Sequence, residues 1–382
     1  MKIVFIFDSI ARIGGMERIF TDKMNYFADI FGWDVFLVTY QQGTHPFTFH
    51  LSARVCHRDL DCRFLTLYRY EALRRVVRHA AMERQFVRRL SAALDDIRPD
   101  VIVCSTYHTR EMRAVRRWGG AALRTAESHV CRQRVIDLSG GVARKIRAAW
   151  ERHKNSRAVL GMDVVVALTR QDAAAWKHVR TVVIPNFVSY YPAAVDYRAE
   201  SRHVVAAGRL TAQKGMDLLV DIWRRVCYAR KGWVLDVYGD GELRETLEER
   251  AGCYGLHGTI VFHGAEKDIY KRYTESALFL FPSRYEGFGL SLVEAMACGL
   301  PVVAFDCPCG PAEILGEGNA NLIREGDINA FAARVITLMD SADERRRQSE
   351  VNRATARRYT AEKVMPQWKA LYESYTSSLP KR

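Results

Sequence analysis

Two carboxylates and two cations in this chain have the types and spacing of a site for a polar, anionic ligand. Glu286 and Glu294 stand eight residues apart in FPSRYEGFGLSLVEAMACGLPVV (281–303), with Gly287, Phe288, Gly289 and Leu290 between them. Glycines ahead of a helix let a ligand approach the backbone closely. The first helical turn then offers free N–H groups and roughly half a positive charge to an anion. Glu286 could be a solvated loop residue and Glu294 an exposed helix residue, but Glu294 is flanked by Leu292, Val293, Ala295 and Met296. A carboxylate in such surroundings is expensive unless something polar is bound to it. Upstream, GRLTAQKG (208–215) carries Arg209 and Lys214 on a strand-to-helix loop closed by Gly215. Two cations so placed can grip a diphosphate from two sides.

The elements that must hold these groups alternate along the chain. An apolar strand over 277–281, the glycine loop, a helix over 291–297 stopped by Gly299 and a strand from Pro301 form one βαβ unit. Strands at 204–207, 235–238, 260–263 and 321–323 with helices between them predict a doubly wound sheet in the second half. A final helix is expected over 360–375. The first half predicts another such sheet, from strands at 2–7, 35–39, 100–104, 123–127, 164–167 and 182–184. Its first strand leads through Gly14 and Gly15 into a helix over 16–30, a phosphate-cradling form without the GxGxxG spacing. His108 and His129 follow strand ends. At 382 residues the chain exceeds the usual limit of one core, so two α/β domains are expected.

Composition narrows the classes. With 48% hydrophobic and 26% charged residues the chain is globular, and no run reaches the ~18 apolar residues of a membrane span. The opening MKIVFIFDSI reads as a buried strand rather than a signal peptide. Nine scattered cysteines contain no CxxC pair, so a zinc clamp is not expected. Asp59-Leu60-Asp61 has the DxD form of some metal-held sugar nucleotides, but no strong strand is predicted before it and metal binding is not expected there. Charge is lopsided: residues 1–190 carry 31 Lys+Arg against 18 Asp+Glu, and residues 191–382 carry 26 of each. Two basic helices, over 68–94 with Arg74, Arg75 and Arg78 and over 140–157, concentrate the excess. Such faces are either solvated or suited to anionic lipid.

The E-x7-E pattern of Glu286 and Glu294 with GFG inside it, together with R-x4-K at Arg209 and Lys214, resembles the retaining glycosyltransferases of family 4. The resemblance spans nearly the whole chain, strongest over 202–303 and loosest over 41–160. It implies the GT-B fold, two Rossmann-like domains facing across a cleft. Residues 1–188 with the C-terminal helix (361–382) would be the acceptor side, and 189–360 would hold the nucleotide sugar. It implies transfer of a sugar from a nucleotide diphosphate sugar, a UDP-sugar favoured, to a lipid-linked glycan in cell-surface polysaccharide or glycolipid assembly. Arg209 and Lys214 would hold the diphosphate, Glu286 the sugar hydroxyls and Glu294 the ribose. His129 would contact the donor sugar, Gly14 and Gly15 would face the cleft, and Asn186 would lie in the crossover. His263 and Gly264 would lie against the base, and Gly287 to Leu290 beneath the phosphates. No metal cofactor is implied, and the expected partners are the nucleotide sugar, the glycan acceptor and an anionic membrane surface at the inner face of the cell membrane. A sugar-nucleotide epimerase or hydrolase of the same fold is the alternative. The charge also raises nucleic-acid binding, but no zinc spacing, RNP-like motif or base-reading element accompanies it.

Overall fold

A computed structural model describes residues 1–12, 14–132, 150 and 153–376. Two parallel sheets organise them. In a parallel sheet covered by helices on both faces each strand is buried on both sides, so it reads as an uninterrupted apolar run. KIVFIF of β1 (Lys2–Phe7) and LFLF of β11 (Leu278–Phe281) show this directly: only Lys2 is exposed. The first sheet has the order β3 (Val55–Asp59), β2 (Asp34–Thr39), β1, β4 (Val101–Ser105), β5 (Leu123–Ser128), β6 (Val164–Ala167) and β7 (Thr181–Val183). The second runs β10 (Ile260–Gly264), β9 (Val234–Tyr238), β8 (His203–Ala207), β11, β12 (Val302–Asp306) and β13 (Leu322–Arg324).

Both orders reverse direction once, between β1 and β4 and between β8 and β11. Loops leaving the carboxyl ends of the two strands at such a switch point diverge to opposite faces, and the crevice left between them is where α/β sheets bind ligands. The switch points therefore select which loops matter: those after β1 and β4 in one sheet, and those after β8 and β11 in the other.

The chain divides into two compact units, residues 1–168, 172–184 and 365–382 in one and residues 169–171 and 185–364 in the other. The last helix, Ala361–Thr376, begins in the second unit and, from Met365 on, belongs to the first. Its Trp368 and Tyr372 are buried in the first unit, where Tyr372 packs on Phe27 and Trp33. In the second unit, Trp223 on the helix Met216–Ala229 is fully buried and donates its indole N–H to the Thr259 carbonyl at 2.8 Å.

Two sequence expectations need correction. A strand, β3, does precede Asp59, and the DxD carboxylates do not converge. Asp59 accepts from Thr39 Oγ1 (3.1 Å) and the Gly43 N–H (2.8 Å), while Asp61 pairs with Arg63 at 2.6 Å. The basic helix at 68–94 is a short 3-10 turn, Phe64–Arg69, followed by the helix Ala72–Ile97. Only its later turns pack, through Phe86, Leu90, Ala93, Leu94 and Ile97. Residues 74–81 are exposed, Val76 and Val77 at 67% each, beside Arg74, Arg75 and Arg78. Val76 and Val77 share the helical spacing of Phe86, Leu90 and Leu94, but the stripe outruns the core that could cover it. The basic helix expected over 140–157 lies largely outside the described residues. Among the described residues no helix is long and apolar enough to cross a membrane.

Candidate active site

At the switch point of the second sheet the loop after β8 brings Lys214 against the loop after β11. Lys214 Nζ donates to both oxygens of Glu286, at 2.7 and 2.9 Å, and Ser283 Oγ donates to the same carboxylate at 2.6 Å. Glu286 is 5% exposed. Three donated hydrogen bonds satisfy the carboxylate in this dry position, two of them from a cation.

The backbone is built for this approach. Gly215 is left-handed (φ +66°), and a Cβ there would lie 1.8 Å from the Pro282 carbonyl oxygen, so only glycine lets the two loops touch. Arg284 then straps them together, forking onto both Asp217 oxygens at 2.6 and 2.7 Å while its N–H reaches the Gln213 carbonyl at 2.9 Å. Gly289 caps the helix Leu290–Ala297, whose N-terminus therefore opens directly after Glu286, Gly287 and Phe288. Phe288 is buried edge-on against Tyr359 at 5.4 Å. Four residues into that helix, Glu294 is 6% exposed, and one of its oxygens accepts from Tyr270 Oη at 3.1 Å.

Other residues singled out in the sequence stand apart from this ion pair. Arg209 is exposed and donates to Gln213 Oε1 at 3.0 Å. His263 places Nε2 2.7 Å from Asp236, stacked on Tyr238 at 4.6 Å, and His203 holds the other Asp236 oxygen at 2.7 Å. Gly264 ends β10 with φ +82°. Asn186 is buried just ahead of the bridge between Val188 and Thr360.

In the first unit Gly14, in extended backbone, caps the helix Gly15–Asp29 after β1. Across that switch point His108 lies 3.8 Å from Asp8, and burial pushes its imidazole below the ordinary value against the pull of Asp8. His129, after β5, is buried, with Nε2 2.9 Å from Glu127 Oε2. The same oxygen receives Lys23 Nζ, which also lies 3.9 Å over the Trp368 ring. Burial and the repulsion of Lys23 lower the His129 pKa, and the Glu127 hydrogen bond and charge oppose them.

Ser283, Tyr270, Arg284 and Lys23 escaped the sequence reading. Only Lys23 left a signal, a cation among Ile19, Phe20, Met24 and Phe27 on the apolar face of the first helix.

Comparison with known proteins bears on this geometry. Residues 193–355 match the family described as glycosyl transferases group 1, a span that takes in Arg209, Lys214, Glu286 and Glu294. The group 1 segment begins ahead of β8 and runs past β13, so it contains the whole second sheet. Among curated proteins, an uncharacterized glycosyltransferase of Haemophilus influenzae is 27% identical over 219 residues, 56% of this chain and 62% of that one. The amylovoran biosynthesis glycosyltransferase AmsD of Erwinia amylovora is 32% identical over 172 residues, 45% of this chain and 48% of that one. The chain thus spans roughly half to three-fifths of these relatives' lengths. Among solved structures, Staphylococcus aureus TarM in complex with fondaparinux, alpha-GlcNAc-glycerol and UDP superposes with a TM-score of 0.78, covering 97% of this chain and 99% of that one at 14% identity. The fold is GT-B.

Proposed function

We propose that the protein is a retaining glycosyltransferase of family 4 that moves a sugar from a nucleotide diphosphate sugar to a glycan acceptor in cell-surface polysaccharide or glycolipid assembly. The observation that carries this reading is the Lys214–Glu286 pair set at the mouth of a Gly289-capped helix. In the donor complex Lys214 and Arg209 take the diphosphate, together with the amides of residues 287–290 and the helix dipole. These groups act most strongly where charge grows as the bond from the anomeric carbon to the phosphate oxygen breaks. Glu286, relieved of part of its hold on Lys214, accepts sugar hydroxyls, and Glu294 accepts those of the ribose. The acceptor oxygen bonds to the anomeric carbon on the face the diphosphate leaves, and its proton passes to the departing phosphate. His129, Gly14 and Gly15 serve the sugar side, and Asn186, His263 and Gly264 complete the donor surroundings. A UDP-sugar is the favoured donor, in keeping with the UDP that the TarM complex contains. The second unit takes the donor in this reading, and the first unit with the C-terminal helix takes the acceptor.

A panel of nucleotide diphosphate sugars, run first as thermal shifts and then as transfer assays, tests the reading. One donor should stabilise the protein and give glycosylated acceptor with retained configuration. Turnover should persist in EDTA, because Lys214 and Arg209 supply the positive charge that a metal would otherwise bring. Free sugar as the sole product would identify a hydrolase. Activity abolished by EDTA and restored by manganese or magnesium would return Asp59 and Asp61 to consideration.

The acceptor in this reading is lipid-linked, and the protein works at the inner face of an anionic membrane. Its support is the exposed start of the helix Ala72–Ile97, where Arg74, Arg75 and Arg78 surround exposed Val76 and Val77. Each Arg near an anionic bilayer contributes about 1 kcal/mol within a Debye length of about 8 Å. Flotation with phosphatidylglycerol vesicles should carry the protein at low salt and release it at high salt. Unchanged flotation of the Arg74→Glu/Arg75→Glu/Arg78→Glu variant would remove this surface.

A further inference from the structure

We propose that the buried Lys23–Glu127 pair is a positioning element for His129, holding its imidazole as the neutral tautomer with hydrogen on Nε2, so that Nδ1 is the nitrogen offered to a sugar hydroxyl. This rests on the role given to His129 in the proposed reaction and adds the residues that set its protonation and orientation.

The geometry is specific. Glu127 Oε2 takes both contacts, from Lys23 Nζ and from His129 Nε2 at 2.9 Å, while Oε1 is buried with no hydrogen-bond partner among the described residues. A carboxylate accepts only, so the ring nitrogen facing it must carry hydrogen, and Nδ1 is left as the free position. The ring is fixed further by Phe20, whose centroid lies 4.8 Å away.

Charge selects the neutral form. A lone carboxylate beside an imidazole favours imidazolium. Here Lys23 offsets that carboxylate, and both partners are fully buried. Burial pushes Glu127 up and Lys23 down, and each charge opposes that for the other; with His129 the Glu127 carboxyl is brought below its ordinary value while Lys23 stays below its own. The direct contact of Nζ with the carboxylate is that of an ion pair. The Trp368 face under Nζ supports the same assignment. Asp172, on the helix Arg170–Ala175, pulls the His129 pKa upward. Burial, and after it the Glu127 charge, push up the pKa of Tyr372 on the last helix. A purely structural role explains this poorly, because replacing a buried ion pair by apolar side chains of similar volume is often neutral or stabilising.

The test begins on the wild-type protein without substrate. Nitrogen-15 NMR of the His129 ring, assigned by comparison with His129→Gln, should show hydrogen on Nε2 and a bare Nδ1 through neutral pH. Hydrogen on Nδ1 would overturn the proposal whatever the variants do. Lys23→Met keeps the side-chain length but leaves Glu127 uncompensated. The His129 pKa should then rise, and the acid limb of kcat/KM should move to higher pH by about one unit or more. Adding Glu127→Gln removes both charges and should return the limb towards its wild-type position. A lower Tm in Lys23→Met with an unmoved acid limb would reduce the pair to a structural one. His129→Gln separates the two readings. Wild-type turnover in that variant removes His129 from the reaction and this proposal with it, whereas loss of turnover beside an unmoved limb in Lys23→Met overturns the positioning role alone.

Discussion

Lys214→Ala should lower kcat by about 10²–10³-fold, the cost of removing one pre-set donor from the place where transition-state charge develops. The fold should survive, because Lys214 is partly exposed and Glu286 keeps its hydrogen bond from Ser283. Apparent donor affinity should fall less than kcat, since the charge on the bridging oxygen grows only as the glycosidic bond breaks. Arg209→Ala should cost less, about tenfold, because its guanidinium is exposed and donates to the neutral Gln213. Steady-state kinetics with the best donor of the panel separates the cases. A Lys214→Ala enzyme with wild-type kcat would refute the diphosphate assignment.

Gly310→Ala should destabilise the second unit by roughly 3 kcal/mol or more and abolish turnover. Gly310 has φ +148°, and a Cβ on it would lie 1.9 Å from the Phe288 carbonyl oxygen. That carbonyl has little room to retreat. Phe288 is buried against Tyr359, and the following Gly289 is itself left-handed to cap the helix. Relief of the clash must therefore shift residues 286–289, which carry Glu286 and the helix mouth. Gly316→Ala is the matched control, since its φ is +92° but a Cβ there meets nothing within 4 Å. It should cost only the conformational strain of its positive φ, roughly 1–3 kcal/mol. Denaturation midpoints and kcat measured on both variants check the prediction, and equal midpoints would show that the close approach does not matter.

How far the sequence reached depended on the range of the interaction. The strands were legible because burial on both faces imposes an apolar run on a few consecutive residues, as in KIVFIF and LFLF. The GFG loop and its helix were legible for the same reason, since a capping glycine and the turns after it are decided within about ten residues. Family resemblance then attached roles to Arg209, Lys214, Glu286 and Glu294. Asp59 and Asp61 show the limit of a local pattern: two acids two apart look like a clamp, yet successive strand and turn positions turn them to different partners.

The amino-acid sequence alone therefore determined the two-sheet α/β class, the order of its elements and the short runs able to hold an anion. Only the tertiary structure decided which of those runs meet. Lys214 and Glu286 are 72 residues apart and touch because β8 lies beside β11, a strand order that no local pattern encodes. Lys23 and Glu127 are 104 apart, and the cation on the first helix has meaning only once that helix covers the end of β5 and Trp368 covers the cation. Val76 and Val77 make the same point in reverse: helical periodicity gives a residue its face, but whether anything covers that face depends on where the neighbouring elements end.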